Sequence, residues 1–419
     1  MPALARLFAM TFLPAISFCQ SFMPVCAQSS FQNFETAAAQ PIMLGNGFPL
    51  KAGFPIADLD SVRTMMQQAV LDSVFPGAVL LIARRGHIVL HEAFGKFGYG
   101  KFDKAMPADA IFDMASLTKV VAATTACMLL YERSLLSLQA PVQSYFPDFT
   151  GKGKDQITIK HLLTHSSGLP AYKKYFLENK TPAEILAAIL QEELVYAPGT
   201  QTVYSDLGII LLGKIFERIS QKKLEKFCRK EIFKPLRMQH TRYHPPAKWR
   251  KHIPPTEQET WPAGKRGEFV HGAVHDENAF ALGGVSAHAG LFSTAGDLAI
   301  FMQMLLHGGA YGSSRLLQRE TVALFTQRQE LPPGSSRALG WDTPDGKNSA
   351  GTLMSSSAFG HTGFTGTSLW ADPAQGLFVI LLSNRVHPTR ENKRILSFRA
   401  RLHDVVMRAL EAAHVPAVP

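Results

Sequence analysis

Cysteine, charged residues and long apolar runs are all scarce in this chain of 419 residues. Two of its four cysteines, Cys19 and Cys26, lie near the N-terminus, so the sequence excludes a disulfide-rich scaffold. The remaining pair, Cys127 and Cys228, could form one disulfide, although two buried unpaired thiols are the simpler interpretation. Charged residues are only 18% of the chain, and the net charge of +10 is spread thinly apart from a basic cluster at 222–230. We interpret that cluster as a solvated helix face, because no nucleic-acid-binding motif accompanies it.

The N-terminal segment has the pattern of a secretory signal. Arg6 gives a positive start, an apolar stretch runs to Phe18, and Val25-Cys26-Ala27 resembles a signal-peptidase site. We therefore predict a signal peptide at 1–27, an N-terminal arm or linker at 28–55 and one folded domain at 56–415. An uncleaved anchor is the alternative, although the apolar stretch falls short of the roughly 18 clean residues of a membrane span. The prediction is a periplasmic or secreted protein with no stable membrane span after signal removal.

Strand patterns occur at both ends of the chain, and helical patterns lie between them. The hydrophobic spacing predicts mostly helices and long loops over 135–310, strands over 78–83, 88–94, 367–371 and 377–383, and helices over 58–73, 116–131 and 395–413. This order predicts an α+β fold with one antiparallel sheet built from both chain ends, flanked by terminal helices, with a mostly helical region inserted. A cleft between the sheet and that region is where a site is expected.

The first candidate for chemistry is Ser116-Leu117-Thr118-Lys119. At the start of a helix, positions i and i+3 share one face, so the serine oxygen lies near the lysine nitrogen. Free N–H groups at a helix N-terminus also favour a developing negative charge. Alone the motif is weak, since Ser220-Gln221-Lys222-Lys223 repeats it in a charged stretch that we interpret as surface.

Two further motifs follow Ser116 in the chain. Val203-Tyr204-Ser205-Asp206 enters an apolar helix, and its tyrosine could carry the nucleophile's proton to a leaving group. Gly360-His361-Thr362-Gly363 is expected to open a strand and to form a wall for a substrate carbonyl, with glycine permitting close backbone approach.

Taken together, the three motifs resemble those of the penicillin-recognising serine hydrolases, specifically the class C β-lactamase and related peptidase and esterase group. The stretches 159–170 and 233–238 and the pair Pro198-Gly199 match the same group, and the resemblance covers about 58–412. It implies a β-lactamase-like fold and an enzyme that uses a serine nucleophile.

The resemblance also implies a role for each matching residue. Ser116 attacks the carbonyl and forms an acyl-enzyme, Lys119 and Tyr204 share the proton transfers, and the backbone N–H groups of Ser116 and Phe364 form an oxyanion hole. The residues predicted to contact substrate are Asp206, His361, Thr362, Gly363, Asn384 and Arg385, with Arg390 as an alternative carboxylate ligand and Thr365 nearby. Asn384 and Arg385 follow a strand whose end meets the substrate carboxylate in related β-lactamases; a surface arginine that holds the final helix is an equal alternative. No cofactor or metal is required.

Two positions depart from the family pattern. Asp206 stands where the family commonly has Asn, and its charge would tend to keep Lys119 protonated. His361 stands where β-lactamases usually have Lys, and histidine is largely neutral at pH 7. A weaker hold on the carboxylate of a penicillin is therefore expected.

A second block of sequence resembles a secreted branch of the same family, which includes N-acetylmuramyl-L-alanine amidase-type enzymes. The matching segments are 270–279, 282–284, 288–293 and 384–390. Within it, His275, Asp276 and Asn278 form a polar group that we expect to hold a loop in shape. Substrate binding and metal binding are the alternatives. His165 is expected to be a structural member of its loop.

The sequence thus predicts an exported serine hydrolase that cleaves an amide or ester in peptidoglycan-derived material, with a small molecule or muropeptide as substrate. A D-alanyl-D-alanine carboxypeptidase, an esterase and a weak β-lactamase would use the same machinery. From other classes, the alternatives are a catalytically idle binding protein and a metal amidase built on His275. The sequence does not fix the oligomeric state.

Overall fold

The computed structural model describes residues 43–46, 52–54, 56–178, 180–258 and 268–412, and the predicted signal peptide lies outside them. The helices are α1 Ile56–Leu71, α2 Thr125–Glu132, α3 Ile159–Leu163, α4 Pro182–Gln191, α5 Asp206–Ser220, α6 Leu224–Cys228, α7 Glu277–Ala281, α8 Ala295–Leu306, α9 Arg319–Thr326 and α10 Ile395–Ala412. The strands are β1 Gly45–Asn46, β2 Gly77–Arg84, β3 His87–Gly95, β4 Phe112–Asp113, β5 Arg242–Tyr243, β6 Leu291–Ser293, β7 Ala310–Tyr311, β8 Ser314–Arg315, β9 Phe359–Thr362, β10 Ser368–Asp372 and β11 Leu377–Ser383.

A six-stranded sheet joins the two ends of the chain in the order β1-β3-β2-β11-β10-β9. Every pair is antiparallel except β1 with β3. The hairpin between β2 and β3 turns at Arg85 and Gly86, both with positive φ, as a tight two-residue turn requires. The register of β11 on β2 runs from Leu377 opposite Arg84 to Ser383 opposite Ala78. The predicted sheet built from both chain ends is confirmed.

Both faces of this sheet are covered, because successive side chains of a strand point to opposite sides. In β2, Ala78, Leu80 and Ile82 belong to a core shared with α1 and α10. The alternate residues of β2, from Val79 to Ala83, belong to a larger core shared with the helical region. Burial on both faces explains why the central strands are continuously apolar in sequence. The predicted flanking by terminal helices is confirmed.

The inserted region contains more strand than its sequence indicates. A second sheet, β4-β6-β5, has strands of two or three residues and carries the segment before Ser116. Such short strands are too brief to show an alternating pattern, so they could not be predicted from the sequence. The motif that ends in Gly363 closes β9 instead of opening a strand, because Thr362 is the last residue that pairs with β10.

Several smaller expectations also meet the structure. Cys127 and Cys228 are buried and unpaired, which confirms the simpler interpretation. Part of the predicted N-terminal arm contacts the sheet, since β1 pairs with β3 and Phe54 is fully buried. Within the described ranges, none of the helices is both long and apolar enough to cross a lipid bilayer.

Candidate active site

Ser116 lies in a turn between β4 and a π-helical run, Lys119–Thr124, which continues into α2. The preceding residue, Ala115, has a φ of 44°, a conformation rare for a non-glycine residue and common at functional sites. The carboxylate of Asp113 fixes this turn by accepting the Ala115 N–H at 2.8 Å and the N–H of His275 at 2.7 Å. The Ser116 hydroxyl oxygen is thereby held 2.9 Å from the Lys119 ammonium.

Lys119 is a buried cation with three partners. Its side chain is 1% exposed, and its Nζ lies 2.9 Å from Ser116 Oγ, 3.0 Å from the His288 carbonyl oxygen and 2.8 Å from Asp206 Oδ1. Burial alone would lower the pKa of Lys119, but Asp206 and Tyr204 oppose it, and the pKa is raised above its ordinary value. The expectation that Asp206 keeps Lys119 protonated agrees with this geometry.

Replacing the Asp206 carboxylate with an amide should move the acid limb of kcat/KM to lower pH. Lys119 acts as a base only when neutral, and Asp206→Asn removes a negative charge that raises the pKa of Lys119, so the neutral form appears at lower pH. At a fixed pH below the limb, kcat/KM should rise several-fold. The measurement is a pH profile of both proteins on one substrate. An unmoved limb would show that deprotonation of Lys119 does not control the rate.

The loop that begins at His165 positions Tyr204. The His165 carbonyl accepts the Val203 N–H at 2.9 Å, and its ring Nδ1 accepts the Ser205 N–H at 3.1 Å. The Ser205 hydroxyl donates to the Pro170 carbonyl at 2.7 Å, and the His165 ring packs on the Tyr204 ring at 4.5 Å. These contacts hold the segment on both sides of Tyr204, which is the structural role expected of His165.

The Tyr204 hydroxyl is buried close to Ser116. Lys119 Nζ lies 4.9 Å from the centre of the Tyr204 ring. Burial raises the pKa of Tyr204, and the nearby Lys119 and Ser116 oppose that change. Tyr204 is therefore a neutral phenol that can donate its proton to a departing group.

Two backbone N–H groups are available for an oxyanion. Neither the Ser116 N–H nor the Phe364 N–H has an acceptor among the described residues. The Phe364 loop is fixed against the Ser116 turn, because Thr365 Oγ1 donates to the Asp113 carbonyl at 2.8 Å and Thr367 Oγ1 donates to the Met114 carbonyl at 3.1 Å. Free N–H groups on two adjoining, fixed loops are what an oxyanion hole requires.

Gly363 permits that close approach, and a methyl group there should disturb it. A Cβ at this position would lie 2.5 Å from the Met114 carbonyl oxygen and would also overlap Thr367 Oγ1. We expect Gly363→Ala to lower kcat by on the order of 10², because the Phe364 N–H would move away from the developing charge. Gly296→Ala is the matched control, since a Cβ there meets nothing within 4 Å. Initial rates on a p-nitrophenyl ester, with circular dichroism, test this; an unchanged kcat would contradict it.

The polar group around His275 holds its loop in shape. His275 Nε2 lies 3.0 Å from Glu257 Oε2, and Asn278 Nδ2 donates to the Lys173 carbonyl at 2.7 Å. The Asp276 carboxylate caps α7 and lies 2.9 Å from His288 Nε2. These contacts favour the structural interpretation. In the part of the chain that the structure describes, no three His, Cys, Asp or Glu side chains are grouped as metal ligands.

The side chains of Asn384 and Arg385 donate hydrogen bonds to backbone carbonyls. The Asn384 amide donates to the Phe97 and Pro255 carbonyls at 3.1 and 2.8 Å. Arg385 donates to the carbonyls of Phe364, Arg390 and Asn392 at 2.8–2.9 Å. These bonds hold the loop before α10, as the alternative for Arg385 supposed, and substrate contact by either residue stays a prediction. The other candidate ligand, Arg390, is ion-paired with Glu257 and Glu277.

Two cavities meet at Ser116. One, of about 470 Å³, is lined by Ser116, Tyr204, Phe364 and the predicted substrate wall from His361 to Gly363. The other, of about 400 Å³, is lined by Ser116, Tyr204, Phe364 and Asp206 together with Tyr172 and His275–Glu277. Substrate can therefore extend to both sides of Ser116. The proximity of the predicted catalytic residues makes this cleft the candidate active site.

Three residues of this site were missed by sequence reasoning. Asp113 and the His288 carbonyl position the Ser116 turn and Lys119, and Arg337 lines the larger cavity with its guanidinium 5.3 Å from the centre of the Tyr204 ring. His288 was visible only as part of a family-like block. Neither Asp113 nor Arg337 could be identified from the sequence, because no regular spacing along the chain relates either residue to the distant groups that it contacts.

The fold and the cleft together define a serine hydrolase of the penicillin-recognising class. The chain belongs to the Beta-lactamase family, whose model matches residues 62–403. The resemblance drawn from the three motifs is thereby confirmed.

Named relatives and solved structures agree with this placement. The chain is 36% identical over 373 residues to the "N-acetylmuramyl-L-alanine amidase" of Bacillus subtilis, covering 80% of this chain and 83% of the relative. It is 34% identical over 389 residues to the "Putative D-alanyl-D-alanine carboxypeptidase" of Escherichia coli K12, covering 84% and 88%. The hydrolase EstCE1 superposes with a TM-score of 0.68 at 22% identity, over 84% of this chain and 100% of that one. A penicillin-binding protein homologue from Caulobacter crescentus gives 0.66 at 20%, over 85% and 98%. These two structures show the likeness of the fold.

Proposed function

We propose that this protein hydrolyses an amide bond in peptidoglycan-derived material through an acyl-enzyme on Ser116. The observation that supports this most directly is the contact of Ser116 Oγ with a buried lysine, beside a neutral tyrosine and two free N–H groups. One relative is named for cleavage of N-acetylmuramyl-L-alanine and the other for cleavage of D-alanyl-D-alanine, and both are aligned over more than four-fifths of their length.

The geometry supports a two-step reaction. Lys119 donates to Ser116 Oγ while it is an ammonium, so it must first lose a proton to act as a base. Its neutral amine then accepts the Ser116 proton as the oxygen attacks the carbonyl, and the Ser116 and Phe364 N–H groups stabilise the oxyanion. Tyr204 gives its proton to the departing nitrogen and regains one from Lys119. Water then cleaves the acyl-enzyme with the same two residues as base.

β-Lactams are expected to be poor substrates. Burial lowers the pKa of His361 to about 4, so this position carries no positive charge at neutral pH where β-lactamases usually have lysine. Export is part of the proposal. The N-terminal sequence has the pattern of a secretory signal, and peptidoglycan lies outside the cytoplasm.

Mass spectrometry of purified muropeptides after incubation with the enzyme tests the proposal. Release of intact peptide from the sugar would indicate a muramyl amidase, and release of D-alanine alone would indicate a carboxypeptidase. A chelator should leave the activity unchanged, whereas a metal amidase would lose it. Muropeptides that stay intact while a simple ester is hydrolysed would contradict the proposed substrate but not the nucleophile.

A further inference from the structure

The leaving-group side of the cleft has its own recognition chemistry. In the proposed reaction Tyr204 protonates the departing nitrogen, so the leaving group lies over Tyr204. Two polar side chains adjoin the Tyr204 ring in the 470 Å³ cavity: the Arg337 guanidinium, 5.3 Å from the ring centre, and the His361 ring, whose centre is 5.9 Å away. Both are therefore placed to contact the first group beyond the scissile bond.

His361 presents a hydrogen-bond acceptor. Its Nδ1 lies 2.8 Å from the Thr362 carbonyl oxygen, which can only accept, so Nδ1 carries the proton. Burial lowers the pKa of this ring to about 4, with Lys119 and Arg337 adding to the effect and Asp342 opposing it. The ring is therefore neutral at pH 7, and Nε2 has a free lone pair. That atom is buried and has no hydrogen-bond partner within the described ranges. A buried acceptor without a partner is costly unless a ligand or water supplies a donor.

Arg337 presents hydrogen-bond donors, and its positive charge is neutralised by a carboxylate. It is ion-paired with Asp342. Asp342 is fixed in turn, because its backbone exchanges two hydrogen bonds of 2.9 Å with Gly360 of β9. A guanidinium has five N–H donors, so the pair with one carboxylate leaves donors for a ligand, while the net charge of the pair is zero.

The other basic residues of this cavity are occupied or peripheral. Arg399 donates to the Gly363 and Thr367 carbonyls at 2.8 and 2.7 Å, and Arg385 is bonded to three carbonyls. Arg390 is ion-paired with Glu257 and Glu277. Lys393 is exposed at the rim with Glu391, which is also exposed. A leaving group beside Tyr204 therefore meets a neutral hydrogen-bond acceptor, His361, and a donor whose charge is neutralised by its ion pair, Arg337.

We propose that His361 and Arg337 recognise a secondary amide next to the scissile bond, so that the leaving group is the first residue of a peptide. The amide N–H donates to His361 Nε2, and its carbonyl accepts from Arg337. A terminal amino acid would place a carboxylate there, which offers no donor and faces the lone pair of Nε2. Resting on the proposed function, this inference selects a bond between an acyl group and the amino end of a peptide over the bond to a terminal D-alanine.

Acyl transfer tests the proposal separately from the natural substrate. The enzyme is acylated with p-nitrophenyl acetate, and the acyl-enzyme is partitioned between water and an added amine, which must bind where the leaving group binds. L-Alaninamide and L-alanine are compared at equal concentrations of free amine. We expect transfer to L-alaninamide to be favoured about tenfold, because one pairing of a buried polar group distinguishes the two amines.

Two variants and one control make the result decisive. His361→Leu should bring the preference close to one, since it removes the acceptor without adding charge. His361→Lys should reverse it in favour of L-alanine. Lys393→Ala should leave the preference as it is. Equal transfer to both amines by the wild-type enzyme, a preference for L-alanine, or a preference that follows Lys393 would overturn the proposal. Intact muropeptides in the cleavage assay would instead count against the proposed function, because acyl transfer from the ester does not depend on them.

Discussion

Ser116→Ala should abolish hydrolysis of esters and amides while leaving the fold intact. Without Oγ there is no acyl-enzyme, and we expect kcat to fall by on the order of 10⁴ to 10⁶. The fold should persist, because Lys119 keeps its contacts with Asp206 and the His288 carbonyl. The measurements are steady-state rates and intact-protein mass spectrometry after reaction with a fluorophosphonate, which should label the wild-type enzyme once and the variant not at all.

The chain supplies its own control for this experiment. Ser220 begins a second Ser-x-x-Lys sequence, but Lys223 is exposed and the serine only bonds locally to Lys222. Ser220→Ala should therefore retain full activity and labelling. Turnover of the natural substrate by the Ser116→Ala variant would show that the nucleophile is another residue.

Removing the charge of Lys119 should lower both the activity and the free energy of unfolding. A second substitution should restore the free energy of unfolding but not the activity. Lys119→Met leaves the Asp206 carboxylate, whose side chain is 17% exposed, without its cation. Breaking a buried pair in this way typically costs about 3–5 kcal/mol, and the partial exposure of Asp206 reduces our expectation to about 2–4 kcal/mol. Activity should fall by on the order of 10³ or more, because neither proton acceptor nor relay remains.

A double variant distinguishes the two effects. Lys119→Met combined with Asp206→Asn removes both charges, so most of the lost free energy of unfolding should return, whereas the activity should not. Urea denaturation of the two single variants and the double variant gives the coupling energy between the side chains. Additive losses of stability would show that the ion pair seen between Lys119 and Asp206 contributes nothing in solution, and recovery of activity in the double variant would remove Lys119 from the mechanism.

The fold was predictable because its main signals are local. The apolar strands of β2 and β11, the turn at Arg85-Gly86 and the amphipathic terminal helices are each visible within a short window. The strands of the β4-β6-β5 sheet were not predictable, since two or three residues show no period. The prediction that the motif ending in Gly363 opens a strand was wrong for a related reason. A glycine can lie at either end of a strand, and only the pairing of Thr362 with Ser368 shows that Gly363 follows the end of β9.

The sequence by itself was sufficient to predict Ser116 as the nucleophile and Lys119 as its neighbour. Ser116 and Lys119 are three residues apart, and a single helical turn places them on one face without help from the rest of the chain. The order of Tyr204 and His361 behind them was also sufficient to indicate the family.

Only the tertiary structure decided the state of those groups. The Lys119 ammonium is stabilised by Asp206 and by the His288 carbonyl, which lie 87 and 169 positions away in the chain. His361 is neutral because the surrounding core buries it, and Arg337 reaches Tyr204 only through the packing of its loop against β9. Charge, protonation and hydrogen-bond direction depend on which distant groups come within a few ångströms, and no local spacing encodes that information.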